Sequence, residues 1–378
     1  MDFIPLAHNG TTAEFNPEIL GPLLNEPKIF LGPQEKPLLA PRGVFSHQGK
    51  LLVADTGQNR VSIWNQLPDN IYQEPDMVLG QNNAQESGRN AGGEVSASSL
   101  QYPTSIWTNG QILIIADAWN HRVLIWHHFP QASGQGADVV LGQKDFTSNL
   151  PNVEGVGATP GASSLNWPYG LVSDGERLWI ADTGNRRVLF YEQIPQQNFQ
   201  AADGLIGKRD FEDRDYTHQD AVWPYSVKLG PKGELAIADT QFFRVLLWNH
   251  WQNAFAAKAE VIIGQENFEA NGANQFRLFP EANTLNWCYD LCFYQNGIWV
   301  NDTANSRLLW FDSLPASHNT SAQGLIGKRD FQTSSENKET LNGTQASLYW
   351  PFSIHIEDDH FFIADTGNHR IISGKLTH

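Results

Sequence analysis

The chain has 378 residues, a formal net charge of −16 and two cysteines, and 40% of its residues are hydrophobic. The acidic balance argues against binding to nucleic acid or to an anionic membrane surface, since basic faces bind both. No apolar run of about 18 residues occurs, so no helical membrane span is predicted. Cys288 and Cys292 give no disulfide framework, and the first residues lack the pattern of a secretory signal. We therefore expect a cytoplasmic protein.

Residues 1–27 form a polar, proline-containing extension, which we expect to lie on the surface. The apolar run at 29–32 follows, and it is typical of a short strand, although no partner strand precedes it. Residues 28–378 are predicted to form a single domain, because one pattern repeats through them.

The pattern Leu-Val-Ala-Asp-Thr-Gly-Gln-Asn-Arg begins at Leu52 and occurs, with variations, six times. In each copy an aspartate precedes an arginine by five positions, and in the first five copies a glycine follows the aspartate by 25 positions. The six pairs are Asp55/Arg60, Asp117/Arg122, Asp182/Arg187, Asp239/Arg244, Asp302/Arg307 and Asp365/Arg370. Such self-similarity predicts a repeat architecture rather than two ordinary domains.

Each unit contains four apolar runs separated by turn signals, which in the second unit lie at 105–108, 113–116, 122–126 and 139–142. Six units of four short strands are typical of a β-propeller, in which radial repetition protects the strand edges. The sixth unit lacks its fourth strand. We therefore predict an all-β, six-bladed propeller of four-stranded antiparallel blades, closed by the N-terminal segment 29–32 as the outer strand of the last blade.

Strand parity predicts which connections share a face of this disc. We label the strands of a blade a to d from the channel outward. The turn between strands b and c then lies on the same face as the long crossing from strand d to the next strand a, and we call this the top face. The crossings vary in length, and variable loops on a rigid scaffold are where binding usually occurs.

The pattern Pro-x-Gly/Ser-Val followed by Leu-Val-Ala-Asp-Thr-Gly-x-Asn-Arg-Val resembles the NHL repeat in all six units. The Leu-Gly-Gln-x-Asp-Phe element at 141–146, with Ile-Gly-Lys-Arg-Asp-Phe at 206–211 and 326–331, looks like that of bacterial NHL-repeat proteins of unassigned activity. The resemblance implies a propeller. It leaves the function open, since NHL propellers include peptide-amidating lyases, RNA binders and protein-binding modules.

The repeated aspartate and arginine are predicted to be structural, because a pair present in every blade marks no single asymmetric site. Function is therefore sought where the repeat is broken. One break is at the top turns, where Trp119, Phe242 and Phe243 replace small or polar residues. We predict that these three bind a protein partner, since buried aromatic side chains dominate many interfaces. The alternative is that a crossing of the same chain covers them.

Aromatic residues also precede strand a in most units. They are Tyr102, Trp167, Trp223, Trp287 and Trp350. Two roles stay open for them from the sequence, packing between blades or forming a collar that stacks on a ligand.

The fifth unit departs most from the repeat. Alignment places Lys228, Cys292 and His355 in one tier of strand a on three consecutive blades, with Asp290 one step above. Cys288 replaces the expected proline, and its even offset from Cys292 predicts that both thiols lie on one side of the strand. A cysteine, a histidine and a carboxylate near a channel bind zinc or activate a thiolate in other proteins. The alternative is that the cysteines are small buried hydrophobic residues.

The leading prediction is a non-catalytic, monomeric scaffold without a cofactor that binds a protein through the top face. The alternative is a metal- or thiol-dependent lyase or hydrolase, or a small-ligand binder, at the channel mouth. The resemblance implies a metal held by several inner-strand histidines in the amidating lyases, and only His355 matches that pattern. Gluconolactonase-type propellers use a carboxylate-and-asparagine calcium site, of which Asp290 with Asn301 is a fragment.

Overall fold

The computed structural model describes residues 24–30, 38–70, 73–339 and 347–376. Within them the strands form six separate four-stranded antiparallel sheets. The innermost strand of each sheet contacts that of the next, and the innermost strand of the sixth contacts that of the first, so the ring is closed. The chain is a six-bladed β-propeller, as the repeat predicts.

The strands are numbered in chain order, and β1 is Leu24–Phe30. Blade 1 contains β2 Gly43–His47, β3 Lys50–Asp55, β4 Arg60–Trp64 and β5 Met77–Leu79. Blade 2 contains β6 Pro103–Thr108, β7 Leu113–Asp117, β8 Arg122–Trp126 and β9 Val139–Leu141. Blade 3 contains β10 Pro168–Ser173, β11 Leu178–Asp182, β12 Arg187–Tyr191 and β13 Gly204–Ile206.

The same order holds in the second half of the ring. Blade 4 contains β14 Pro224–Leu229, β15 Leu235–Asp239, β16 Arg244–Trp248 and β17 Val261–Ile263. Blade 5 contains β18 Cys288–Tyr294, β19 Gly297–Asp302, β20 Arg307–Phe311 and β21 Gly324–Ile326. Blade 6 contains β22 Pro351–Glu357, β23 His360–Asp365, β24 Arg370–Leu376 and, as its outer strand, β1.

The ring is closed by the N-terminal segment. Strand β1 pairs antiparallel with β24, with Ile29 opposite Ile372 and Phe30 opposite Ile371. This confirms that an N-terminal strand completes the last blade. The strand begins at Leu24, so the boundary predicted at residue 27 falls within it, whereas residues 31 and 32 lie outside the described residues.

All helices of the described chain are short 3-10 turns. One forms each connection from strand b to strand c: Thr56–Gln58, Ala118–Asn120, Thr183–Asn185, Thr240–Phe242, Thr303–Asn305 and Thr366–Asn368. Four others lie at Arg89–Gly92, Trp251–Phe255, Ala273–Phe276 and Glu336–Glu339. None of these helices is long and apolar enough to cross a membrane.

The hydrophobic core is divided into layers between neighbouring blades. One buried cluster joins Leu52 and Ile63 of blade 1 to Leu113 and Trp126 of blade 2, and further clusters lie between each of the other neighbouring pairs of blades. Each middle strand is buried on both faces, which explains its nearly continuous apolar sequence. Removal of this surface from water supplies most of the stability of the ring.

In blades 1 to 5 the repeated aspartate and arginine connect the top turn to the segments before and after the blade. In blade 2, Arg122 Nε donates to Asp117 Oδ2 at 2.8 Å, and both side chains are fully buried. The other oxygen, Asp117 Oδ1, accepts the backbone N–H of Gln101 at 2.7 Å. Arg122 also donates to the carbonyls of Ser96 and Ser99 in the preceding crossing and of Phe146 in the following one. The pair is therefore structural and holds the crossings on the top face.

The Leu-Gly-Gln element serves the same purpose. Gly142 has a φ of +87°, and a Cβ at this position would lie 2.7 Å from the side chain of Leu165. The amide of Gln143 donates to the carbonyls of His121 in the turn and Leu150 in the crossing, at 3.0 and 2.9 Å. The motif thus fixes the start of the crossing against the turn. This structural role explains why the motif recurs, and no catalytic role is needed.

We expect a chain that begins at residue 38 to be less stable and to self-associate, because removal of β1 leaves the backbone groups on the outer edge of β24 unpaired. Thermal unfolding and size-exclusion chromatography of the full and shortened chains test this. An unchanged melting temperature with a monodisperse monomer would show that β1 does not close the ring.

Candidate functional site

A ring of six side chains, five of them large, closes the channel at the top. The residue that follows the proline, or Cys288 in blade 5, points toward the axis, and going round the ring these residues are Arg42, Thr104, Tyr169, Tyr225, Tyr289 and Phe352. The ring centroids of Tyr169 and Tyr225 lie 4.7 Å apart, those of Tyr225 and Tyr289 4.8 Å, and those of Tyr289 and Phe352 4.1 Å. The cavity beneath them is only about 20 Å³, so the top of the channel is closed.

The aromatic residues two positions earlier, directly before the proline or Cys288, form an outer rim around this plug. Tyr102, Trp167 and Trp223 are half-buried and pack against the plug. Trp287 and Trp350 are more open, with 44% and 39% of their surface exposed. The rim therefore packs on one side of the axis and offers free aromatic surface on the side of blades 5 and 6.

Trp119, one of the predicted partner-binding residues, lies exposed on the top turn of blade 2. Its ring stacks on Tyr102 with centroids 4.4 Å apart and planes at 6°, and 41% of its surface remains exposed. The Arg89 guanidinium lies 5.6 Å from its centroid. A ring held in one orientation that keeps part of its surface exposed is what an anchor residue requires.

Phe242 and Phe243 are less available than Trp119. Phe242 is 8% exposed, and the rings of Tyr216 and His218 from the preceding crossing pack edge-on against it. Phe243 is half-buried in the left-handed region, with a φ of +53°. The structure thus places Phe242 beneath a crossing of its own chain, in the arrangement that sequence analysis gave as the alternative.

The burial of Phe242 follows from what it replaces. In blade 2 the same position holds Asn120, whose amide donates to Asn90 in the preceding crossing at 2.8 Å. Blade 3 repeats this contact between Asn185 and Asn152. Blade 4 therefore has an aromatic cluster where blades 2 and 3 have a hydrogen-bonded amide pair. Either arrangement holds a crossing against a top turn.

The most exposed apolar segment lies in the crossing into blade 5, and sequence analysis missed it. Phe276, Leu278 and Phe279 are 84%, 87% and 61% exposed. The segment is held at its start, because Gln275 Nε2 donates to the carbonyls of Gly264 and Asn283. The available signal was three large apolar residues among four inside an otherwise polar crossing.

Asp290 of blade 5 lies in the channel below the plug and contacts blades 4 and 6. Its Oδ1 accepts a hydrogen bond from Ser226 Oγ at 2.6 Å and lies 3.2 Å from Lys228 Nζ. Its Oδ2 accepts from Ser353 Oγ at 2.8 Å and from the backbone N–H of Ile354 at 3.2 Å. Both oxygens are occupied by protein donors. Asp290 thus links blades 4 and 6 across blade 5, and it replaces the small residue of the other units.

The two cysteines lie in different places, contrary to the even-offset prediction. A register shift between Cys288 and Leu291 turns the strand, so Cys288 packs between blades 4 and 5 and Cys292 against the cluster between blades 5 and 6. Burial raises the pKa of the Cys288 thiol, and burial raises that of Cys292 to about 11. Both thiols are therefore protonated at neutral pH and poor nucleophiles.

His355 is held as a neutral ring. Its Nε2 donates to the carbonyl of Ser46 at 2.9 Å, and its ring lies 4.1 Å from that of Phe45. Burial, with Lys228 nearby, lowers its pKa to about 3. Asn301 donates to the carbonyl of Pro351 rather than to Asp290. Within the described ranges, no three His, Cys, Asp or Glu side chains gather as metal ligands.

A cavity of about 430 Å³ lies at the bottom mouth of the channel, where the turns between strands a and b of blades 3 to 6 meet. Its apolar walls include Leu229, Phe293 and Ile356, and its lining also includes Asp174 and Asp358. Its size is typical of a small-ligand pocket. Its lining includes none of the tier residues Lys228, Cys292 and His355.

No protein-family model and no curated protein matches the chain. The resemblance to the NHL repeat therefore stays a prediction.

Among solved structures, the chain is similar to a catalytically inactive variant of virginiamycin B lyase from Staphylococcus aureus with quinupristin, at 11% identity and a TM-score of 0.47 over 93% of this chain and 100% of that one. Selenomethionine-substituted virginiamycin B lyase gives 10% identity and a TM-score of 0.46 over 93% and 100%. The computationally designed Ika8 protein gives 8% and 0.41 over 92% and 100%. The fold assignment rests on the sheet topology, and these likenesses carry no argument about function.

We expect Cys292 to react slowly with iodoacetamide at neutral pH. A rise in pKa from 9.0 to about 11 lowers the thiolate fraction about a hundredfold. Alkylation of the folded Cys288→Ala variant, followed by mass spectrometry from neutral to alkaline pH, isolates this thiol. The rate should increase as pH rises toward the pKa. A neutral-pH rate equal to that of free cysteine would return thiol chemistry to consideration.

Proposed function

We propose that the propeller is a non-catalytic scaffold that binds a protein partner through its top face. One observation carries this proposal. Ten large hydrophobic side chains are exposed in the described part of the chain, and nine of them lie in the crossings or a top turn; the exception is Phe255. Exposed apolar surface gathered on one side of a soluble domain is typical of an interaction site.

Three groups supply the anchors in this proposal. They are Trp119 on the blade 2 turn, the segment of Phe276, Leu278 and Phe279, and the rim residues Trp287 and Trp350. Aromatic residues of this kind dominate the binding energy of many interfaces. Phe242 is covered by its own crossing and therefore contributes indirectly, by fixing that crossing.

The alternative enzyme at the channel has weaker support. A thiol-dependent mechanism needs an ionised cysteine, and the pKa of Cys292 is raised rather than lowered. The carboxylate of Asp290 is occupied by four protein donors. The cavity at the bottom mouth is the observation that favours small-ligand binding, and it lies on the opposite face from the proposed interface.

We place this activity in the cytoplasm, since both cysteines are free thiols. We also propose a monomer that belongs with the NHL-repeat proteins. A charge of −16 favours solubility and discourages self-association, and the repeated turn motif supports the grouping.

We expect combined Phe276→Ser, Leu278→Ser and Phe279→Ser substitution to weaken partner binding at least about tenfold while the melting temperature changes little, because these side chains are exposed. The measurement is copurification of a stoichiometric partner with the wild-type chain, followed by calorimetry with the purified components.

Phe255→Ser, at the exposed hydrophobic residue outside the top face, is the matched control and should keep the partner. Retention of the partner by the triple variant and by Trp287→Ser would contradict the proposal. Equal loss from the control would do so as well.

A further inference from the structure

One charged side chain lies in the aromatic plug. Of the six residues that follow the proline position, four are aromatic and one is Thr104, and the sixth is Arg42 of blade 1. Its guanidinium Cζ lies 4.0 Å from the ring centroid of Phe352 and 5.2 Å from that of Tyr102. The cation therefore lies at the top of the channel, between one ring of the plug and one ring of the rim.

Arg42 has no carboxylate partner within the described ranges. The only hydrogen bond of its side chain to the described residues runs from Nη1 to the hydroxyl of Tyr169 at 3.0 Å, and its Nε is buried without a partner among them. By contrast, each repeated arginine is paired with an aspartate. A half-buried guanidinium with five donors and one acceptor is incompletely satisfied.

The surroundings of Arg42 indicate which chemical group would satisfy its remaining hydrogen-bond donors. Cation–π contacts offset part of the cost of removing the charge from water, but an unpaired charge in such a position is still unfavourable. The cavity beneath the plug has room for about one water molecule, so a larger group must approach from the top face. A planar guanidinium matches the two oxygens of a carboxylate.

We propose that the top axis is a carboxylate-binding subsite and that Arg42 receives an acidic side chain or the chain terminus of a partner polypeptide. This rests on the proposed function and names the chemistry of the partner. The exposed rings of Trp287 and Trp350, on the rim of the same face, would pack against apolar residues beside the carboxylate. The recognised segment is thus an acidic residue within an apolar or aromatic stretch.

The net charge of the chain affects which anions this subsite binds. With a net charge of −16, the protein repels anions at long range. Arg42 therefore recognises a carboxylate through direct contact and does not attract it from a distance. A dianionic phosphate is repelled more strongly than a carboxylate. A single carboxylate held in a mostly apolar segment is therefore the favoured occupant.

The test is selection of a random peptide library on the wild-type chain, followed by binding measurements with Arg42→Gln. We expect selected peptides to carry Asp, Glu or a free terminus beside aromatic or aliphatic residues. Arg42→Gln should weaken them about tenfold or more. Changing the peptide carboxylate to its amide should weaken binding to the wild type equally, and should have little further effect in Arg42→Gln.

Arg209→Gln is the control, since it removes the same charge from an exposed side chain in a crossing on the same face. It should bind like the wild type, and thermal unfolding verifies that both variants are folded. Peptides that bind Arg42→Gln unchanged would overturn this inference and leave the proposed function standing.

NMR titration with benzoate, and with benzamide as its uncharged control, tests whether the carboxylate comes from a free small molecule or from a polypeptide. Benzoate binding that needs Arg42, with no peptide selected, would keep the subsite, assign it to a free small molecule and contradict the proposed function. No peptide and no benzoate binding would overturn both.

Discussion

The buried pair of aspartate and arginine is the interaction on which the rest of the structure depends. In every blade the carboxylate joins the arginine to a backbone N–H 16 residues earlier, for example Asp302 to Arg307 and Asn286. The arginine then reaches carbonyls of the crossings. A buried charge is tolerated only when it is paired and hydrogen-bonded, so each pair requires its crossings to lie in one place. The top face is consequently an ordered surface rather than a set of free loops.

This order supports the role proposed for the exposed apolar residues on the crossings. Arg307 donates to the carbonyls of Glu281 and Thr284, in the crossing that carries Phe276, Leu278 and Phe279. Side chains presented by a fixed backbone lose less entropy on binding than those of a mobile loop. The closed plug and the protonated thiols, in turn, leave the channel little chemistry. An ordered face with exposed apolar residues, together with a channel that lacks a reactive thiol, favours an interaction scaffold over an enzyme.

The repeat made the fold predictable, since blade number, strand order and closure all follow from one spacing and a missing strand. The site was less predictable because it depends on contacts between distant units. Phe242 is hidden because Tyr216 and His218 of another crossing replace an amide pair. The environment of Arg42 was not predictable, because the side chains around it at the top of the channel come from distant units. Register shifts at the start of strand a, seen for Cys288 to Leu291, also break the simple alternation of sides.

The most direct measurement is hydrogen exchange of Arg307→Met compared with the wild type. Loss of the guanidinium leaves Asp302 buried without its partner, which should cost about 3–5 kcal/mol and release the crossing into blade 5. We predict that amides of residues 274–287 exchange much faster while those of β2 to β4, across the ring, keep their protection. Unchanged exchange in 274–287, or a uniform increase around all six blades, would contradict the account.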